Sequence, residues 1–305
     1  MDITAYLSKC RTIDDLTKTG EEICISSSEL IIKNVVVIDA EGIFKADAGI
    51  CEGRITKFGR ADITGAGSCR VINGDGLVLT CGGVAVIDGR LDRHDAEDLL
   101  FKGYSTVIFV GDRASGTSEI VGELMTLPLN IGFVSEVCNA DRSYISEAVS
   151  NGCCGLIVGN GNASRDVVQM LAERFNIITA DVQTSVEKRS SGSLADEISA
   201  RTVEPAKRFG LTAHVGAAAE GKLADLYLWR PETLFDVPEK IIKCGRCIFD
   251  RSITQRQDMI YAYLNYNNRA GQNSCAVFTS ETAANGVFGE KLRPLRRVLT
   301  VSRRA

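Results

Sequence analysis

Between residues 84 and 209 the chain alternates short apolar runs with helical stretches, and this alternation constrains the fold more than any other feature. Candidate strands are Val84–Ile87, Ser105–Val110, Leu129–Val134, Gly155–Val158 and Ile177–Val182, with helices near 92–102, 117–125, 141–151, 163–175 and 194–208. Strand-helix-strand units of this kind place their strands in parallel, because a parallel crossover needs a connection long enough to hold a helix. Helices then cover the faces of the sheet, so its strands read as continuous apolar runs.

The flanks are patterned differently. "ELIIKNVVVID", "KADAGICEGRITKFG" and "SCRVINGDGLVLT" are strand-like segments punctuated by glycine, and strands return in "GKLADLYLW" and "EKIIKCGRCIF". Pieces so far apart in sequence are expected to join into one β module beside the α/β body. The expected division is a composite β module from residues 1–83 and 221–305, with a C-terminal tail, around an α/β domain at 84–220. "KRSSGSL", Lys188 to Leu194, is the one linker-like stretch.

Composition excludes several classes. At 305 residues, 45% hydrophobic and 24% charged, the chain can bury a substantial core. No apolar run is long enough to span a bilayer. The start, "MDITAYLSKC", lacks the basic-then-apolar plan of a signal peptide, so a cytoplasmic protein is expected, with no membrane partner. The 35 basic and 39 acidic residues leave a net charge of −4, which gives no pull toward nucleic acid. The basic tail "KLRPLRRVLTVSRRA" has no interleaved aromatic residues to stack on bases. Eleven cysteines scattered through apolar segments are expected to be reduced and buried. Cys244 and Cys247 form a lone CxxC, half a zinc site at most; the alternative is a hairpin with Gly245 at its tip.

A family likeness rests on particular segments. "KADAGICEGRITKFG", "GLVLTCGG", "FKGYSTVIFVGD", "LPLNIGF", "VEPAKRFGLTAHVG", "GKLADLYLW" and "ETAANGVFGEKLRPLRRVLTV" resemble, in order, landmarks of the urease alpha (catalytic) subunit, a member of the amidohydrolase superfamily. The likeness runs from about residue 29 to the end. It implies a (β/α) barrel carrying a β-sandwich built from both chain ends. It also implies urea hydrolysis at two nickel ions bridged by a carbamylated lysine and held by histidines and an aspartate, with the metals generating the nucleophile.

The positions that should carry this chemistry do not match. Counting from Gly82 and Gly83, the family's first histidine pair falls on Ile87 and Gly89. The bridging lysine falls on Ile157 in "NGCCGLIVGNG", the substrate-side histidine on Gly159, and the next histidine ligand on Val182. The chain has only two histidines: His94, seven residues past Ile87, and His214 in "GLTAHVG", away from any ligand place. Between Val182 and Leu194 the remaining barrel strands, ligands and flap of the family have no counterpart. About five of eight βα units are left, too few to close a barrel, so a truncated, open TIM-barrel-like body is expected.

Three functions compete. Asp88, Asp92, His94 and Asp95 follow the first barrel strand and could hold magnesium or manganese in a rearranged hydrolase; alternatively these acids cap the first helix. "VGDRASGTSE" and "VGNGNASRD" run from strand through glycine into helix and could cradle an anion, or they are tight turns with Ser115 or Thr117 as a cap. The favoured reading is a catalytically inactive, urease-alpha-like pseudoenzyme with no catalytic residue, cofactor or metal. An unclosed parallel sheet exposes an edge and an apolar face, so a homo-oligomer, or docking on another urease-type subunit, is expected to shield them.

Overall fold

A computed structural model of the chain describes residues 11–12, 23, 28–62, 68–88, 91–111, 127–139, 141–159, 164–181, 193–253, 255, 275–292 and 297–301. In chain order the first elements are β1 (Arg11–Thr12), β2 (Leu30–Asp39), β3 (Gly42–Cys51), β4 (Arg54–Gly59), β5 (Arg70–Asn73), β6 (Val78–Cys81), β7 (Gly83–Asp88), α1 (Arg93–Phe101), β8 (Tyr104–Gly111) and β9 (Asn130–Val137). Next come α2 (Arg142–Ser150), β10 (Gly155–Val158), α3 (Arg165–Arg174), β11 (Ile178–Asp181), α4 (Leu194–Arg201) and α5 (Val203–Arg208). The last are β12 (Leu226–Trp229), β13 (Pro238–Lys243), β14 (Arg246–Asp250), β15 (Ala276–Thr279), α6 (Glu281–Ala284), α7 (Val287–Leu292) and β16 (Arg297–Thr300).

The two ends of the chain meet as expected: β6 pairs antiparallel with β12, Thr80 opposite Tyr227. Hydrogen bonding joins β1–β6 and β12–β14 into one nine-stranded sheet. The sheet forks at β2. One edge of β2 pairs with β3 throughout, while the other pairs with β5 over Leu30–Lys33 and with β6 at Val36 and Val37. A register shift between Ile32 and Val35 marks the fork, and there Asn34 sits at φ 55 with its amide donating to Asp47 Oδ1. Short polar side chains tolerate that left-handed conformation. Ile32, Val35, Ala48, Ile55, Leu79, Leu226 and Ile242 pack together as this sheet's own core.

At Gly82 and Gly83 the chain leaves this sheet and enters a second, seven-stranded parallel one. The paired glycines are there for space. A Cβ on Gly82 would lie 2.1 Å from Ser105 Oγ, and one on Gly83 would lie 2.8 Å from the Tyr104 ring and 3.0 Å from the Arg201 carbonyl. The strands run β7-β8-β9-β10-β11, every pair parallel, within three residues of the sequence expectation at each end. Among the described residues β7 pairs with β8 alone, which leaves the sheet open at that side. The helix expected at 117–125 lies outside the described residues.

The mixed tail that follows β14 in sequence contributes β15 and β16 to the parallel sheet. β9 offers its far edge to two partners: β10 takes Val134–Val137, and β15 takes Ile131 and Gly132. β16 then pairs with β15.

Both faces of the parallel sheet are covered within the chain. On one, α1 and the strands β12–β14 pack over Val107, Phe109, Ile131 and Phe133, and α2 and α3 cover Leu156 and Ile177. On the other, which would line the lumen of a closed barrel, Ala206, Phe209, Leu211 and Val215 seal Ile108, Val134, Ile157 and Phe278. Phe209 is 2% exposed and Ile108 and Val134 are 0% exposed. The apolar face expected to need a partner is thus filled by α5 and the turn after it.

One helix was expected at 194–208; two form. Pro205 has no amide to donate to the Arg201 carbonyl, and its ring would collide with that group. The helix breaks at Thr202 (φ −123, ψ −72), whose hydroxyl donates to the Ile198 carbonyl.

Candidate functional site

In parallel α/β folds, catalytic groups sit at the carboxyl ends of the strands. Alternation along β7 puts Val84, Val86 and Asp88 on the lumen-side face, of which Val84 lies in the cluster beneath α5. Ile87 packs on the opposite cluster, with Ala96, Leu100 and Phe109. The place assigned to a histidine ligand therefore carries a hydrocarbon that also faces the helix side. Val86, 41% exposed, and the exposed Asp88 open on the lumen side. Gly89 and Val182 lie outside the described residues.

On β10 the lysine place, Ile157, is 3% exposed and buried under α5. The histidine place, Gly159, is occupied from across the sheet: Glu136 on β9 lies so close that a Cβ on Gly159 would meet its Oε1 at 2.4 Å. Glu136 is half-buried and shares the lumen-side face with Val134 by alternation. Sequence reading missed it. The signal was available, because an acid in the strand run "NIGFVSEV" stands out.

The acids after β7 divide in role. Asp92 N-caps α1, its carboxylate accepting from the Asp95 amide at 2.8 Å, while Asp95 adds negative charge to the first turn. His94 is exposed on the same helix. This is the capping alternative, and it leaves Asp88 apart from the others. His214 lies on the turn after α5, its Nε2 3.1 Å from the Thr300 carbonyl. Among the described residues no three His, Cys, Asp or Glu side chains converge as metal ligands. Imidazole donors and a bridging lysine are what a dinuclear nickel centre needs, and Ile87, Ile157 and Gly159 supply neither, so the described strand ends do not fit one.

The CxxC is a hairpin. β13 and β14 are joined by Cys244 (φ 46) and Gly245 (φ 78), the two positive-φ residues of a tight two-residue turn. Both cysteines are free; Cys244 is buried and Cys247 exposed. Burial pushes the Cys153 thiol up to about 11, and the buried Cys81, Cys154 and Cys244 thiols rise for the same first reason. Thiols held protonated are poor nucleophiles. Of the candidate anion loops, 112–119 and 160–163 lie outside the described residues. Ser164, which precedes α3, makes no side-chain cap bond.

The most ordered polar constellation lies at the opposite end of the parallel sheet, where the two sheets meet. Asp225, just before β12, accepts from Lys243 Nζ at 2.5 Å, Asn130 Nδ2 at 2.6 Å and the Cys244 amide at 2.8 Å. Asn130 also donates to Thr106 Oγ1 and accepts from the Ala276 amide. The Lys243 and Asp225 side chains are 0% and 3% exposed. Burial pushes the Lys243 ammonium down most strongly, but the charge and hydrogen bond of the Asp225 carboxylate, together with Cys244 and Cys275, outweigh it and hold the ammonium above the usual lysine value. Position argues for architecture: this network joins β8, β9, β13 and β15 at the amino ends of the parallel strands, where barrel folds keep stability and not chemistry.

Among solved structures, the chain is similar to a beta-aspartyl dipeptidase from Fervidobacterium islandicum AW-1, with 14% identity over 74% of this chain and 98% of that one and a TM-score of 0.47. It is similar to a D-hydantoinase from a Bacillus sp. AR9 at 15% identity over 50% of this chain and 39% of that one, with a TM-score of 0.39. A D-aminoacylase described as defining a novel subset of amidohydrolases aligns at 16% identity over 51% and 45%, with a TM-score of 0.40. The chain thus spans well under half of the hydantoinase. Within the sequence, residues 10–74, the stretch that holds β1 to β5, match the N-terminal domain family of the urease alpha subunit.

Proposed function

We propose that this chain is a urease-alpha-like pseudoenzyme: a truncated, open amidohydrolase-type scaffold that works as a structural or interaction protein without nickel. The observation that supports this most is the set Ile87, Ile157 and Gly159 at the strand ends, a hydrocarbon turned to the helix side, a buried hydrocarbon and a glycine covered by Glu136. None of these offers a donor to a cation. The forked nine-stranded sheet takes the place of the family's sandwich in this reading, and the protein acts in the cytoplasm.

The test is metal content and urea turnover measured on one preparation. Less than a tenth of an equivalent of nickel or zinc after dialysis, with no ammonia released from urea, is expected. A retained stoichiometric metal accompanied by ammonia release refutes the proposal. The second reading, a metal-dependent hydrolase with a rearranged site, draws on Asp88 and Glu136, which share the lumen-side face. A retained metal lost from the Glu136→Gln variant favours it. Self-association, or docking on a urease-type subunit, draws on strand edges and not on the filled lumen-side face: β7 and β11 each have one pairing partner among the described residues. Light scattering that shows a monomer at all concentrations counts against self-association.

A further inference from the structure

His214 sits where three separately built pieces meet. It lies on the turn after α5 that fills the lumen-side face, its ring stacks on Phe278 of β15 at 5.9 Å between centroids, and its Nε2 is 3.1 Å from the Thr300 carbonyl at the end of β16. β15 pairs with β9 through only Val277 and Phe278, and among the described residues β16 pairs with β15 alone. β16 is held besides by the packing of Val298 and Leu299 and by Arg297 Nη1, which donates to the Glu52 carbonyl at 2.8 Å.

The neutral ring is held in one tautomer by its surroundings. With Nε2–H donating to Thr300, Nδ1 is left as the basic nitrogen, and among the described residues it is buried with no hydrogen-bond partner. An imidazolium would need an acceptor there. Among the described residues the charged groups acting on the ring are Arg54, at the start of β4, and Lys222, both cations; β15 contributes an aromatic ring and β16 the Thr300 carbonyl. We propose that His214 is a protonation-sensitive latch: neutral, it holds β16 against the turn over the lumen-side face, and protonated, it releases that strand.

The direction of the pH dependence follows from the burial of the ring. Desolvation first, then Arg54 and Lys222, lower its pKa from the usual 6.5, while the Thr300 carbonyl opposes them. The released form binds the proton more tightly, so attachment of β16 is complete above about 6.5 and weakens as pH falls through the lower attached-state value. A buried N–H left without a partner corresponds to roughly a ten-fold or greater shift toward the released form.

Hydrogen–deuterium exchange on the full chain, normalised for the intrinsic pH dependence, tests this. Between pH 7.5 and 5, protection of peptides covering 297–301 is expected to fall about ten-fold or more, while that of β8 (104–111) stays within two-fold. In His214→Gln, whose amide can still donate to Thr300, the differential loss should vanish. The two histidines of the chain allow a measurement that needs no variant: the His214 imidazole resonance should titrate over the same pH interval in which 297–301 loses protection. Equal loss in both regions, a pH dependence that survives in His214→Gln, or a His214 titration at or above 6.5 overturns the latch.

Discussion

Asp225→Ala is the sharpest perturbation of this fold. Among the described residues it deletes the carboxylate that contacts Lys243 Nζ, one of the two acceptors of the Asn130 amide, and the acceptor of the Cys244 N–H. An ammonium that is 0% exposed then has no counter-charge. Breaking such a pair from one side is worth about 3–5 kcal/mol, and the two orphaned donors act in the same direction. Against a total stability of roughly 5–15 kcal/mol that is a large fraction. The assay is guanidinium unfolding followed by fluorescence, with the loss taken from the midpoint shift at constant slope. Adding Lys243→Met removes the stranded charge, so Asp225→Ala/Lys243→Met should recover most of the ~3–5 kcal/mol lost in Asp225→Ala, because an apolar replacement of a buried pair can match the intact pair. A single variant within about 1 kcal/mol of the parent, or a double variant no better than the single, refutes the reasoning. Where the single variant does not fold, recovery of folding by the second substitution carries the same decision.

Three further outcomes are expected. Gly82→Ala should lose about 1–3 kcal/mol in the same assay, because its methyl would meet Ser105 at a point where both sheets fix the backbone. Phe209→Ala should lose about 3–5 kcal/mol and raise binding of an apolar dye such as ANS, since its ring covers the lumen-side face. Asp92→Ala should lose about 1 kcal/mol with no change in metal content, separating capping from coordination.

The parallel sheet was legible because periodicity reports burial: "STVIFV" and "GLIV" have strand length and are buried on both faces. The CxxC hairpin was legible from its glycine. The break in the 194–208 helix was visible in Pro205 and went unread, because the apolar pattern continues through it. β15 and β16 were illegible for another reason: four-residue strands owe their place to β9, which local pattern cannot encode. The Asp225–Lys243 pair had a faint signal in one acid within "LADLYLW" and one lysine closing "KIIK", each buried only because the other is. The absence of ligand-type residues at Ile157 and Gly159 could be counted from sequence, whereas the intrusion of Glu136 needed the register of β9 against β10.

The fork in β9 bears on how the protein is made. Asn130 and Ala276 are 146 positions apart, so the edge at Ile131 and Gly132 is completed by a strand that a ribosome delivers long after β9 itself. Until then the nascent chain carries an unfinished parallel edge, the kind of intermediate on which holding chaperones act. Slowing translation should therefore leave yield unchanged or lower it, in contrast to proteins whose sheets close as their strands emerge.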